Sequence, residues 1–419
     1  MYYKPTTNFG TPQQSSYKTQ PQYFNILWHS MCMLHSVKRK NILYTLAAVV
    51  ALLLIISCNG CSGLTTGFNS VADAITKPSA RQVYAREFKD NKEQLASWEA
   101  AYDSAKSDSL QVTLPYGETG KFRPLSNPVY TYTVQMQEGE VLQAAVVADS
   151  VNHRMFINVL AVQDTTYTNV AETLPVEKAL EFEVKQTGFY KVVIQPELAA
   201  NSNFFISLTK RPLYGFPVSG KGNAAIGSFW GMERDGGKRA HEGIDIFAKK
   251  GTPVVAVTDG SISYTGERGL GGKQVWLRDG LFGKSLYYAH LDSIAVQSGA
   301  SVKTGDTLGF VGNTGNARFT PAHLHFGIYK GGAVNPLPFV YQTEKLSKAK
   351  FTNSFTVANL KTKGKANLRQ GPGTTMPTVG TLAPAETITL LGQNNEWLHI
   401  QTQAGQKAFL HKSLAKAVN

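Results

Sequence analysis

Cysteine is nearly missing. Only Cys32, Cys58 and Cys61 occur among 419 residues, and none follows position 61. No disulfide framework can therefore hold the long remainder together, and packed apolar cores must do so. A membrane-length apolar run is missing too. The run from Ile42 to Ile56 falls short of the roughly 20 residues that a helical span needs. Acidic residues are outnumbered, 29 against 42 basic ones, for a net charge of +13. That excess is spread along the chain, with no basic stripe interleaved with aromatics. Nucleic acid is not the expected partner; an anionic polymer or membrane surface suits the charge better. No solenoid-type repeat is visible. What is present is a 42% hydrophobic composition and 38 glycines, which favour a globular, turn-rich β protein. The length implies several domains.

The N-terminus reads as a targeting segment over residues 1–57. A basic stretch, Val37 to Lys40, precedes the short apolar run, as in a signal peptide. The run ends in Ile55-Ile56-Ser57-Cys58, which resembles a bacterial lipobox. That resemblance implies lipidation of Cys58, a membrane lipid anchor and a place in the bacterial cell envelope. Residues 1–32 are polar and aromatic, and Met33 gives a more conventional lipoprotein start. An uncleaved N-terminal anchor is the alternative. Cys58 and Cys61 also spell C-x-x-C, but without a βαβ context this carries no redox or metal reading.

Residues 58–108 form a Gly/Ser/Thr-rich tether followed by a helix. Tyr84, Phe88, Leu95, Trp98 and Tyr102 recur at helical spacing behind Ser79 as N-cap. This stripe is a packing face. Over 109–212 the period changes to two, as in VYTYTVQMQ and GFYKVVIQP, which predicts an accessory β-sandwich. Glycine turns between apolar triplets predict a compact, mostly antiparallel β-domain over 213–345. A polar, Lys-rich linker leads to short strands over 355–419. The fold class is mainly β and multidomain.

Four of the nine histidines fall between 241 and 325: His241, His290, His323 and His325. In PAHLHFGIY, alternation places Leu324 and Phe326 on one face of a strand and His323 and His325 on the other. In RAHEGIDIF, His241 and Asp245 are too far apart on a straight strand to share a metal. A bend at Glu242-Gly243, with Gly permitting unusual dihedrals, brings His241 back toward Asp245. Two imidazoles and a carboxylate make a three-ligand zinc set that leaves a position for water, the catalytic arrangement. The other two histidines can handle protons or stabilise an oxyanion.

HEGID, YYAHLDS and HLHFGIY, in that order, resemble the motifs of the lysostaphin-like, LytM-type zinc metallopeptidases of bacterial cell walls. The glycine turns GTPVVAVTDGSISYTG and VKTGDTLGFVGNTG match as well. The resemblance implies Zn²⁺ on His241, Asp245 and His325, with His290 and His323 as the catalytic histidines. It implies peptide bonds of peptidoglycan as the substrate. No tyrosine equivalent to the family's further oxyanion-stabilising residue is found near GMERDGGKRA. The last segment resembles bacterial SH3-like domains, through Asn367-Leu368-Arg369, Gly371-Pro372 and Trp397. There the expectation is affinity for cell-wall peptide, with Trp397 either contacting the wall or filling the small barrel.

Two other readings compete. LytM-type proteins that have lost ligands act as silent activators of other hydrolases, but here the ligand set is complete. A biotinyl or sugar-phosphotransferase type of barrel shares the glycine turns but explains neither H-x-x-x-D nor the clustered histidines.

Overall fold

The computed structural model describes residues 73–418, apart from 74, 89–90, 124–126, 150–152, 175–176, 199, 281–282 and 347–357. The targeting segment, Cys58 and most of the tether lie outside the described residues. Among the described residues, no helix is long and apolar enough to cross a membrane.

The helical stripe is divided. Ser79 caps Ala80–Ala85, its hydroxyl accepting from Gln82 N–H while the Gln82 side chain accepts from Ser79 N–H. A short 3₁₀ turn, Arg86–Phe88, intervenes, and Asn91 caps a new helix, Lys92–Ala105. The spacing alone predicts one continuous helix. An asparagine at the second cap favours the restart, because its side chain competes for backbone N–H groups. Both helices press aromatics onto the sandwich: Tyr84 and Trp98 pack with Phe156, and Trp98 Nε1 donates to the Pro196 carbonyl at 2.9 Å.

The sandwich is present. One sheet pairs Tyr130–Met136, Gly188–Pro196, Met155–Gln163 and Thr166–Glu172 in that order. The facing strands are Tyr116–Lys121, Asn203–Pro212, Glu140–Ala148 and Ala179–Glu183. Tyr132, Ile157, Val192, Phe204 and Ile206 fill the space between them. Alternation in these strands is what lets one face be buried.

The terminal strands do not form a separate bead. Thr387–Asn394, in the SH3-like segment, pairs with Tyr116–Lys121 of the sandwich, setting Thr119 opposite Gln393 and Gly120 opposite Gly392. The sandwich core continues into Leu391 and Phe409, and Trp397 packs against it, half-buried. Trp397 thus packs toward the sandwich rather than into the small barrel's own core, with its indole edge-on to His411.

The central domain is an antiparallel sheet. In order across it run Ser301–Val302, Gly260–Arg268, Gly272–Arg278, Ser285–Ile294, His323–Tyr329, Ile244–Phe247 and Ile226–Ser228. Ile244, Ile246, Tyr288, Leu291, Leu324 and Phe326 point to its core and are fully buried. The opposite face of the central strands carries the polar cluster.

Candidate metal centre

Register builds the cluster. Ile244–Phe247 pairs with His323–Tyr329 so that Asp245 lies directly across from His325, and Phe247 from His323. Directly opposed residues share a face at close Cβ spacing. His325 Nδ1 stands 3.0 Å from Asp245 Oδ1. His241 arrives from the loop after the short strand Arg239–Ala240, its backbone N–H held by the Met232 carbonyl at 2.8 Å. Its Nε2 reaches Asp245 Oδ1 at 3.1 Å and His325 Nδ1 at 3.0 Å. The donor atoms of His241, Asp245 and His325 all lie within 4.8 Å of one another, and among the described residues this is the cluster suited to a metal ion.

Gly243 does matter to the bend, for a different reason than expected. Its φ is not in the left-handed region; instead, a Cβ there would sit 2.5 Å from the His325 ring and 2.7 Å from the Phe326 carbonyl. Space, not dihedral freedom, requires glycine. The His325 ring occupies the volume that a side chain would take.

His290 and His323 flank the cluster, their ring centroids 5.1 Å apart. His290 has a positive φ of 62°. The cause is a β-bulge: Tyr288 pairs with Val275 and Leu291 with Lys273, so two residues oppose one. Tyr288 and Leu291 both enter the core, which strict alternation forbids, and the bulge turns His290 toward the cluster instead.

Hydrogen-bond partners assign the tautomers. His241 Nδ1 donates to the Phe229 carbonyl at 2.9 Å, His290 Nδ1 to that of Thr314 at 2.9 Å, and His323 Nδ1 to that of Pro321 at 2.8 Å. A carbonyl only accepts, so a proton is on Nδ1, and in the neutral ring each Nε2 keeps its lone pair. For His241 this is the donor set a metal needs, a neutral imidazole oriented through its other nitrogen. Burial, then the neighbouring His323 and His325, pushes His290 down to about 4. Burial likewise lowers His325. Burial opposes ionisation of Asp245, but the close approach of His241 and His325 outweighs it and holds the carboxyl well below its usual range.

The cluster floors an open cleft of about 780 Å³, walled by Met232, Leu270, Tyr287, Thr320 and Tyr329 among others. All five histidine and aspartate positions singled out from the sequence therefore meet at one place. Sequence reasoning missed Arg234 and Ser228, which touch Asp245 and His241, and the wall tyrosines Tyr287 and Tyr329. The Asp235-Gly236-Gly237 turn was the available signal for Arg234, since it predicts a hairpin that returns toward His241. No tyrosine comes from GMERDGGKRA; the cleft takes its tyrosines from two other strands.

Comparison with known proteins gives names to these parts. Residues 239–336 match the model of peptidase family M23, and residues 364–416 that of the bacterial SH3 domain. An L-Ala--D-Glu endopeptidase of Bacillus subtilis is 36% identical over 125 residues, covering 28% of this chain and 38% of the relative. The murein hydrolase activator NlpD of Salmonella dublin is 36% identical over 105 residues, covering 24% and 26%. Among solved structures, the catalytic domain of lysostaphin from Staphylococcus simulans is 34% identical, covering 27% of this chain and 89% of that one, with a TM-score of 0.25. The chain thus spans well under half the length of these two curated relatives.

Proposed function

We propose that this chain, whose central domain belongs to peptidase family M23, is a zinc metalloendopeptidase that hydrolyses peptide bonds of peptidoglycan in the bacterial cell envelope. The observation that carries the reading is the convergence of His241 Nε2, Asp245 Oδ1 and His325 Nδ1 beside two further imidazoles whose Nδ1 atoms are held by backbone carbonyls. The residues fit zinc: borderline N and O donors, three in number, at the floor of an open cleft. When bound, zinc supplies Lewis acidity and brings the pKa of water down toward about 7.

The chain's own residues do the rest. His241, Asp245 and His325 hold the ion. The lowered pKa of His290 leaves its Nε2 unprotonated at neutral pH, ready to accept a proton. His323 presents a second Nε2 across from it, suited to donating to or stabilising the substrate oxygen. The Pro321 and Thr314 carbonyls keep both rings in the required tautomer.

The test is zinc content of the purified 78–419 protein together with release of peptides from isolated cell walls. Stoichiometric zinc with wall cleavage supports the reading. Bound zinc with no cleavage of walls or cross-linked peptides would favour the activator reading that NlpD represents.

The lipid anchor supplies the location. Cys58 follows the apolar run after one serine, so Cys58→Ser should release the protein from membranes or leave its precursor unprocessed. A variant that fractionates and migrates like wild type would remove the anchor. Starting translation at Met33 should leave localisation unchanged.

A further inference from the structure

Arg234 is a charged group in the cleft that the reading above does not use. It lies on the short strand Glu233–Arg234, which pairs with Arg239–Ala240 through a turn where Asp235, Gly236 and Gly237 all take positive φ. The hairpin ends where His241 begins. Arg234 Nη2 donates to Asp245 Oδ2 at 2.9 Å. The same nitrogen donates to Ser228 Oγ, and Ser228 Oγ lies 3.3 Å from His241 Nδ1. Ser228 is the cross-strand partner of Asp245 on the side away from His325.

The two oxygens of Asp245 are thereby divided. Oδ1 faces both ligand imidazoles, and Oδ2 faces the guanidinium. We infer that Arg234 is a positioning residue: it engages Oδ2 so that Asp245 offers the metal one oxygen, Oδ1, and cannot swing to offer both. This inference rests on the zinc-site reading. A carboxylate free at both oxygens can chelate, which fills the position that a catalytic site keeps open. Groups that hydrogen-bond a ligand's far atom tune affinity in this way. One guanidinium nitrogen, Nη2, serves both acceptors, and the planar group fixes the direction of its two N–H bonds.

Arg234 is partly exposed, its side chain at 26%, so replacing it opens no core cavity. Arg234→Met should lower zinc affinity about 10- to 100-fold in competition with a chromophoric chelator. With Co²⁺ in place of zinc, its visible spectrum should move from the intense four-coordinate form toward a weaker, higher-coordinate one. Arg239→Met is the control for the hairpin itself, since Arg239 pairs with Asp235 and not with Asp245; it should leave both readouts alone. Unchanged affinity and spectrum in Arg234→Met would overturn the inference. Equal losses in Arg239→Met would overturn it too, assigning the effect to hairpin stability. Failure of the wild-type protein to bind zinc would instead sink the zinc-site reading, so the two failures are distinguishable.

Discussion

His325→Ala should yield a folded protein that neither holds zinc nor cleaves walls. Two remaining ligands bind the ion poorly, and much of the affinity of such a site depends on the full set. Asp245→Ala should behave in the same way, with a further consequence: the Arg234 guanidinium loses its carboxylate acceptor. His323→Ala and a His290 variant should separate from this pair. Both should keep most of their zinc and lose about 10²- to 10⁴-fold in rate, the range for a proton-handling group. For His290 the better substitution is asparagine. The backbone there has φ of 62°, which asparagine tolerates and alanine does not. The measurement is metal stoichiometry beside rate for each variant whose melting resembles wild type. Zinc lost from His323→Ala and kept by His325→Ala would reverse the assignment. Wild-type rates in all four would remove the chemistry from this cluster.

Much of this site is legible in the amino-acid sequence, and the reasons are local. His323 and His325 share a face because strand side chains alternate, and Leu324 and Phe326 are apolar enough to declare the other face the core. H-x-x-x-D requires a bend, and a glycine marks where. Nothing nearby in the chain shows why that residue is glycine, because the His325 ring it makes room for belongs to a distant strand. His290 is legible as a candidate, but not its orientation. Tyr288 and Leu291 cannot both face the core of a regular strand, so the parity break is the trace of the bulge. Arg234 leaves only a turn signal, since its partner is set by the pairing of Ser228 with Asp245. The largest gap is the junction of sandwich and terminal segment. Thr119 and Gln393 meet across a separation of 274 residues, and such an edge pairing leaves no periodicity to read. Each segment looks complete by itself.

That junction reverses an expectation for the terminal domain. For a tethered wall-binding module, removal should weaken wall binding and leave cleavage of a soluble stem-peptide dimer intact. As built, removing residues 355–419 should destabilise the sandwich. Tyr116–Lys121 would lose the ladder to Thr387–Asn394. Phe409, fully buried in the common core, would leave a void, and truncating such a side chain costs about 3 to 5 kcal/mol. Glu118 sits at the centre of the contact, fully buried, accepting from Tyr116 and Tyr132 hydroxyls and from His399 Nδ1 at 2.9 Å. Burial, followed by the presence of Glu118, pushes both phenols well above their usual range, so they remain donors. Gly392 permits this packing, since a Cβ there would lie 2.1 Å from Glu118 Oε1. Deleting the terminal strands takes away the His399 donor and its cover. A buried acceptor left short of partners costs about 1 to 3 kcal/mol. Against a total stability of about 5 to 15 kcal/mol, these losses are large. The 78–354 protein should therefore melt far below the full chain, and calorimetry of the full chain should show the sandwich and terminal strands unfolding in one transition. His399→Ala should lower that shared transition by several degrees, roughly 2 to 4 °C per kcal/mol lost. Two separate transitions, with the sandwich melting unchanged after the deletion, would restore the independent module.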